Sequence, residues 1–360
     1  MTPLVTPNIE SLIPYEGGKP IEELERELGV VGAIKLASNE NPLGPSPKAL
    51  AALQSNLQSV HRYPDSHAYR LRTQLSQTHA VPIDQIIQGA GSAELIDLLI
   101  RTFTTAEHHI VFAEPSFVVY KLAALAHGTP FTLVPLRDQT HDLEAMAAAV
   151  TDKTRLLFVA NPNNPTSTYV GRAAMERLLR TVPSQVTVVA DEAYIDYADA
   201  DDFPDCLSLR SLRERLVVLR TFSKVHGLAS LRVGYAIGPS MLIDYLNRVR
   251  SPFNVSSLGQ LAACAALEDR EHVERSRKMN RIERARLSRG LGELGVKVLP
   301  SQANFLFVDL GRPAQPVFQA LLNRGVIVRA FPQLQNNLRI TVGTPTENDR
   351  LLATLAEVLA

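Results

Sequence analysis

From about residue 86 the chain repeats one pattern: a short run of Val, Ile and Leu, a loop carrying polar residues, then a helical stretch. The runs lie at residues 86–87, 110–113, 156–160, 186–190, 216–219 and 233–237, with helical patterns such as 93–103 and 172–179 between several of them. Apolar runs without polar alternation belong to strands buried on both faces. Such strands need helices on both sides of their sheet, so the pattern predicts βαβ units and a mainly parallel α/β sheet. It also predicts where chemistry belongs, because ligands of open α/β sheets sit in a crevice at the carboxyl ends of the strands.

The tail reads differently. Residues 256–291 are rich in Ala, Glu and Arg and form one helical stretch; strand-like runs follow at 296–299, 305–308, 326–328 and 338–342. Helices are expected at about 317–322 and from Glu347 onward. This mixture predicts a smaller α+β domain over residues 261–360, after a large domain over 37–260. Residues 1–36 are expected to be an arm joining the small domain, with a short amphipathic helix at 21–28.

Composition excludes more than it assigns. Lys plus Arg and Asp plus Glu number 37 each in 360 residues. A neutral chain offers no field that recruits nucleic acid or an anionic membrane, so any anionic ligand must be caught by a few placed cations. No stretch approaches the ~18 apolar residues of a membrane helix. The first residues lack the basic and apolar regions of a signal peptide, so a cytoplasmic location is expected. Cys206 and Cys264 are far apart, and the nine histidines show no metal-ligand spacing, so no metal is expected.

Four loops that follow the apolar runs carry chemistry. Gly89-Ala90-Gly91-Ser92-Ala93-Glu94 opens a helix, and its glycines and free N–H groups suit either a tight turn or a small phosphate. The third glycine of a dinucleotide fingerprint is replaced by Glu94, which argues against NAD. Asp191 ends a buried run, where a carboxylate is costly unless paired; a helix cap, an arginine or a ring nitrogen would each serve. Thr221-Phe222-Ser223-Lys224 places a lysine at a strand end among hydroxyls. Once desolvated, such an amine can form an imine with an aldehyde cofactor, and Ser223 and Arg232 suit a phosphate monoester. Asn161-Pro162-Asn163-Asn164-Pro165-Thr166 is a turn whose Asn164 amide could donate to a ring oxygen, as could Tyr194.

Together these segments resemble the fold-type I pyridoxal-phosphate (PLP) aminotransferases, and specifically the histidinol-phosphate aminotransferase family. The likeness runs from Pro14-Tyr15 through Ser38-Asn39-Glu40-Asn41-Pro42, Arg62-Tyr63-Pro64-Asp65, Gly91–Ile96 and Pro115-Ser116-Phe117. It continues through Asn161–Thr166, Asp191-Glu192-Ala193-Tyr194, Thr221–Lys224, Gly227–Arg232 and Leu338-Arg339-Ile340-Thr341-Val342-Gly343. The resemblance implies a mainly parallel seven-stranded sheet flanked by helices, with a smaller α+β domain. It implies that Lys224 carries PLP as an imine and then shuttles a proton, and that Asp191 pairs with the pyridine nitrogen. Asn164 and Tyr194 would contact the phenolic oxygen, and Phe117 would stack on the ring. Gly91, Ser92, Ala93, Thr221, Ser223 and Arg232 would hold the phosphate. Tyr63 would reach that phosphate from the other subunit of a homodimer. On the substrate side, Arg339 would bind the donor carboxylate, with Tyr15, Asn41 and Arg329 nearby.

The resemblance has gaps. Ser167 stands where this family usually has glycine, Ser230 where glycine is common, and Ala93 where aspartate is common. A loop that keeps a positive φ at Ser167 would be strained unless it has rearranged. Competing expectations are an aromatic amino-acid aminotransferase, a phosphothreonine-type decarboxylase and a non-catalytic PLP-sensing domain.

Overall fold

The computed structural model describes residues 4–10, 12–14 and 17–360; Tyr15 lies outside them. The strands, in chain order, are β1 (Ile34–Lys35), β2 (Ile86–Gly89), β3 (His109–Glu114), β4 (Phe131–Pro135), β5 (Thr154–Ala160), β6 (Thr187–Asp191), β7 (Leu216–Thr221), β8 (Gly234–Ile237), β9 (Lys297–Val298), β10 (Phe305–Asp309), β11 (Val326–Ile327), β12 (Arg329–Ala330) and β13 (Asn337–Thr341).

Seven of them form one sheet in the order β2-β8-β7-β6-β5-β3-β4. Neighbours run parallel except around β8, which is antiparallel to both β2 and β7. All six apolar runs in the sequence became strands. The seventh, β4, escaped the pattern because it lies at the sheet edge and is mostly half-buried, so its sequence carries no unbroken apolar run. Two apolar layers cover the sheet. One packs Leu95, Leu98 and Leu99 of the helix Gly91–Phe103 against Ile110, Phe112 and Phe158. The other packs Met175, Leu178 and Leu179 of Arg172–Thr181 against Val111, Leu157 and Val188.

A second sheet, β12-β13-β10-β9, is antiparallel, and β1 pairs in parallel with β11 beside it. The stretch expected as one helix over 256–291 is two, Ser257–Leu267 and Arg270–Glu293. Asp269 makes the break: its carboxylate caps the second helix at His272 N–H and accepts from Ser46 Oγ at 2.6 Å. The first helix packs beside the seven-stranded sheet, where Ala262, Ala263 and Cys264 share a core with Phe222, Val233 and Tyr235. The second runs through Gly290 without a turn, and the missing side chain there makes room for Leu352 of the last helix, Pro345–Leu359, which a Cβ would approach to 2.8 Å. That last helix starts with a capping box between Thr344 and Glu347. Among the described residues no helix is long and apolar enough to cross a membrane.

Candidate active site

The carboxyl ends of β2, β5, β6 and β7, with the start of β8, open into one cavity of about 260 Å³. Its lining brings together Ser92, Ala93, Phe117, Asn164, Asp191, Tyr194, Thr221, Ser223, Lys224, Arg232, Arg329 and Arg339, drawn from segments far apart in sequence. Ser38, Asn39 and Glu40 close one side.

Asp191 is the last residue of β6 and is 3% exposed. Tyr120 donates its hydroxyl to one carboxylate oxygen at 2.7 Å, and the Ala193 N–H reaches the other at 3.3 Å. Burial pushes its pKa up to about 6, against the pull of those two donors and of Lys224. A cationic partner from the cavity would hold it ionised. Lys224 lies just beyond β7, with Nζ 3.3 Å from the Ser38 carbonyl and 5.4 Å from the centre of the Tyr194 ring. Burial lowers its pKa to about 7, helped by the charges of Arg339 and Arg232 and opposed by Glu40 and Asp191. Near neutral pH a large share of this amine is therefore free base, as a nucleophile or proton acceptor must be.

A small anion has a shaped cradle beside the lysine. Gly91 begins its helix at φ +79°, and a Cβ there would sit 2.5 Å from Arg232 Nη2. A Cβ on Gly234 would sit 2.7 Å from Ser92 N. Only glycine at both positions lets the guanidinium, the strand and the helix N-terminus converge, and that helix has no side-chain cap to occupy its first N–H groups. Arg232 is itself held at φ +52°, donating to the Ala229 carbonyl at 3.0 Å and toward Ser223 Oγ at 3.4 Å. The hydroxyls of Thr221 and Ser223 are 3.0 Å apart at the same place. An uncapped helix start, two hydroxyls and one firm cation fit a phosphate monoester, and Asp191 with Lys224 fits a pyridine aldehyde, so the residues present fit PLP.

The opposite wall carries two more cations. Arg329 and Arg339 face each other across the β12–β13 pair, and both guanidinium groups lie over the Phe331 ring. Arg339 donates to Asn164 Oδ1 at 2.6 Å and to the Ala37 carbonyl. Tyr194 is buried, edge-on to Phe305 with ring centres 5.0 Å apart, and its hydroxyl accepts from Asn39 Nδ2 at 2.9 Å.

Two expected residues stand apart from the cavity. Asn41 spends its amide on Val225 O at 2.8 Å, Ser276 Oγ at 2.9 Å and the Leu43 N–H at 3.0 Å. Tyr63 is 83% exposed and stacks on Phe253 with ring centres 4.7 Å apart. Ser167 keeps the left-handed φ (+62°) that its usual glycine would allow, with its N–H donating to Asn163 O at 2.8 Å. Sequence reasoning gave no role to Tyr120, Ser38 or Asn39. Tyr120 belongs to an apolar helix face and carries no local signal; Ser38 and Asn39 lie in the 38–42 run that carries part of the family likeness. Among the described residues, no three His, Cys, Asp or Glu side chains cluster to hold a metal ion.

An α/β sheet whose strand ends join a free amine, a buried carboxylate and a phosphate cradle defines a PLP-type transferase. Residues 31–355 match the model of aminotransferase class I and II, and the chain belongs to that family. It is 49% identical to histidinol-phosphate aminotransferase 2 of Pseudomonas aeruginosa, over 99% of this chain and 98% of that protein. It is 47% identical to histidinol-phosphate aminotransferase of Moorella thermoacetica, over 98% and 92%. The crystal structure of histidinol-phosphate aminotransferase from Sinorhizobium meliloti in complex with pyridoxal-5'-phosphate superposes with a TM-score of 0.92 at 29% identity, covering 99% of this chain and 97% of that one.

Proposed function

We propose that this protein is a PLP-dependent aminotransferase that exchanges an amino group between glutamate and the keto partner of histidinol phosphate, a step of histidine biosynthesis. The observation that carries this is the match along nearly the whole chain to relatives of that name. When bound, PLP supplies a conjugated ring that accepts the electrons left on a substrate's Cα when its proton departs.

The chain's own residues do the rest. Lys224 Nζ anchors the cofactor at rest; released, it takes the Cα proton and returns it on the other side of the exchange. Its pKa of about 7 suits both directions. Asp191 holds a proton on the ring nitrogen, and Tyr120 keeps one carboxylate oxygen turned toward its own hydroxyl. Gly91, Ser92, Ala93, Thr221, Ser223 and Arg232 hold the phosphate, Phe117 stacks on the ring, and Asn164 and Tyr194 donate to its phenolic oxygen. Arg339 takes the carboxylate of the amino acid. Arg329, with Tyr15, takes the far anionic group, a phosphate on one substrate and a second carboxylate on the other; a forked cation serves both. The family resemblance assigns Tyr63 to the phosphate site of a second subunit, and its exposed place on Phe253 leaves it available for that role in a cytoplasmic homodimer.

The test is single-turnover spectroscopy of the PLP-loaded protein with histidinol phosphate, phenylalanine and glutamate added separately, repeated on Lys224→Ala. Conversion of the lysine-linked band by glutamate and histidinol phosphate, faster than by phenylalanine, is expected. Faster conversion by phenylalanine assigns the protein to aromatic amino acids. Absence of any lysine-linked band overturns the cofactor reading.

A further inference from the structure

Asn39 is buried to 1% exposure and held at φ +56°, a left-handed conformation that a non-glycine residue keeps only when its surroundings fix it. Three contacts fix it here. Its N–H donates to Thr341 Oγ1 at 2.9 Å, its carbonyl accepts from Asn304 Nδ2 at 3.0 Å, and its side-chain oxygen lies 3.2 Å from Thr341 Oγ1.

The Thr341 hydroxyl accepts from the Asn39 N–H and donates its own proton to Asn39 Oδ1. With Oδ1 turned toward Thr341, the side-chain NH₂ must face Tyr194, whose hydroxyl oxygen is 2.9 Å away. A phenol has one proton and two acceptor sites. With Asn39 filling an acceptor site, the Tyr194 proton cannot point at Asn39 and is left for the cavity that Tyr194 lines.

We propose that Asn39 is a positioning residue: fixed by Thr341, it makes Tyr194 an obligatory donor into the cavity, and so sets the protonation of the lysine-linked cofactor. This rests on the PLP reading above. Burial raises the Tyr194 pKa, while Arg339 and the Asn39 donor lower it, so the same contact also makes the phenol a stronger donor. The charged groups acting on Tyr194 are Arg339 from β13 and Asp191 from β6, with Lys224 over its ring. Thr341 lies two residues past Arg339 on β13, so the strand that carries the carboxylate-binding arginine also carries the group that orients Asn39.

The sign of the effect follows from the chemistry. When the lysine-linked nitrogen loses its proton, the ring oxygen keeps its negative charge without that neighbour and depends most on outside donors. Weakening the Tyr194 donor disfavours this form and raises the titration midpoint.

The experiment is a pH titration of the absorbance of the PLP-loaded protein. Asn39→Gly tolerates the left-handed backbone and deletes only the side chain; its midpoint should rise by about half a unit to one unit, the size expected for a weakened neutral hydrogen bond. In a Tyr194→Phe background the same change should add nothing, because the hydroxyl it orients is gone. Thr341→Val should raise the midpoint by less, and Thr341→Ser should restore it. An unchanged midpoint in Asn39→Gly, or an equal rise with and without the Tyr194 hydroxyl, overturns the assignment. If Asn39→Gly cannot be loaded, the Thr341 pair decides by the same criteria. A normal lysine-linked band with an unmoved midpoint sinks this proposal alone, whereas a wild-type protein that forms no such band sinks the cofactor reading as well.

Discussion

The floor and the rim of the cavity are built by different means. Asp191, Thr221, Ser223 and Lys224 come at or just past the ends of β6 and β7, and Gly91, Ser92 and Ala93 come just past β2. Their positions are inherited from a close-packed sheet covered on both sides. The rim consists of Ala37–Glu40 with Arg329 and Arg339, and it belongs to the second sheet and the segment after β1. Side-chain hydrogen bonds tie it to the floor: Arg339 to Asn164, Asn39 to Tyr194, and Asn304 to the Asn39 carbonyl. Each such bond contributes on the order of 1 kcal/mol, so the rim can adjust where the floor cannot. Damage to the floor should therefore appear in the chemical step, and damage to the rim in affinity.

The largest effect tests the floor. Lys224→Ala should abolish the lysine-linked band and lower kcat by about a thousandfold or more, the scale of losing a nucleophile that doubles as the proton carrier. If kcat survived with only KM changed, the division between floor and rim would be wrong. Next comes the rim: Arg339→Lys should raise KM for glutamate by about tenfold to a hundredfold with a smaller change in kcat, because a forked pair becomes a point contact. Steady-state kinetics with separately varied substrates checks this split.

A smaller effect concerns the cofactor-free floor and pH. Folding lowers the Lys224 pKa from 10.5 to about 7. Between those values the unfolded chain holds a proton that the folded protein has lost, so the unfolded state binds more protons and stability rises with pH across that window. Melting temperatures of cofactor-free wild type and Lys224→Met between pH 7 and 9 should therefore converge as the pH rises if the variant is the more stable at pH 7; parallel curves would refute the buried-amine account. The smallest effect is expected at Ser167→Gly. Relief of the left-handed φ and the added freedom of the unfolded chain oppose each other, leaving a change within about 1 kcal/mol. Thermal unfolding measures it, and kcat should stay within about twofold.

Much of the floor was legible because its residues follow their strands directly. Asp191 ends its own apolar run, and Lys224 comes only a few residues after its own, so strand periodicity and the strand-end rule locate both. The edge strand β4 was not legible, since half-buried residues leave no clean period. The break at Asp269 was read through as helix although its cap on the His272 N–H is local, because the residues on both sides of it keep a helical composition. Tyr120 carries no local signal: its hydroxyl matters only because β6 ends beside it.

The sequence by itself determined the α/β class, the strands at the heart of the sheet, and the residue types able to hold an aldehyde cofactor and its phosphate. Those depend on local periodicity and on groups that adjoin their strands. Only the tertiary structure decided that Asn41 faces Val225 and Ser276 rather than the cavity, that Tyr63 lies on the surface against Phe253, and that Asn39 presents an N–H to Tyr194. The physical reason is that a side-chain amide or hydroxyl gains its role from the partner it meets, and these partners are brought together by two sheets packing, not by their spacing along the chain.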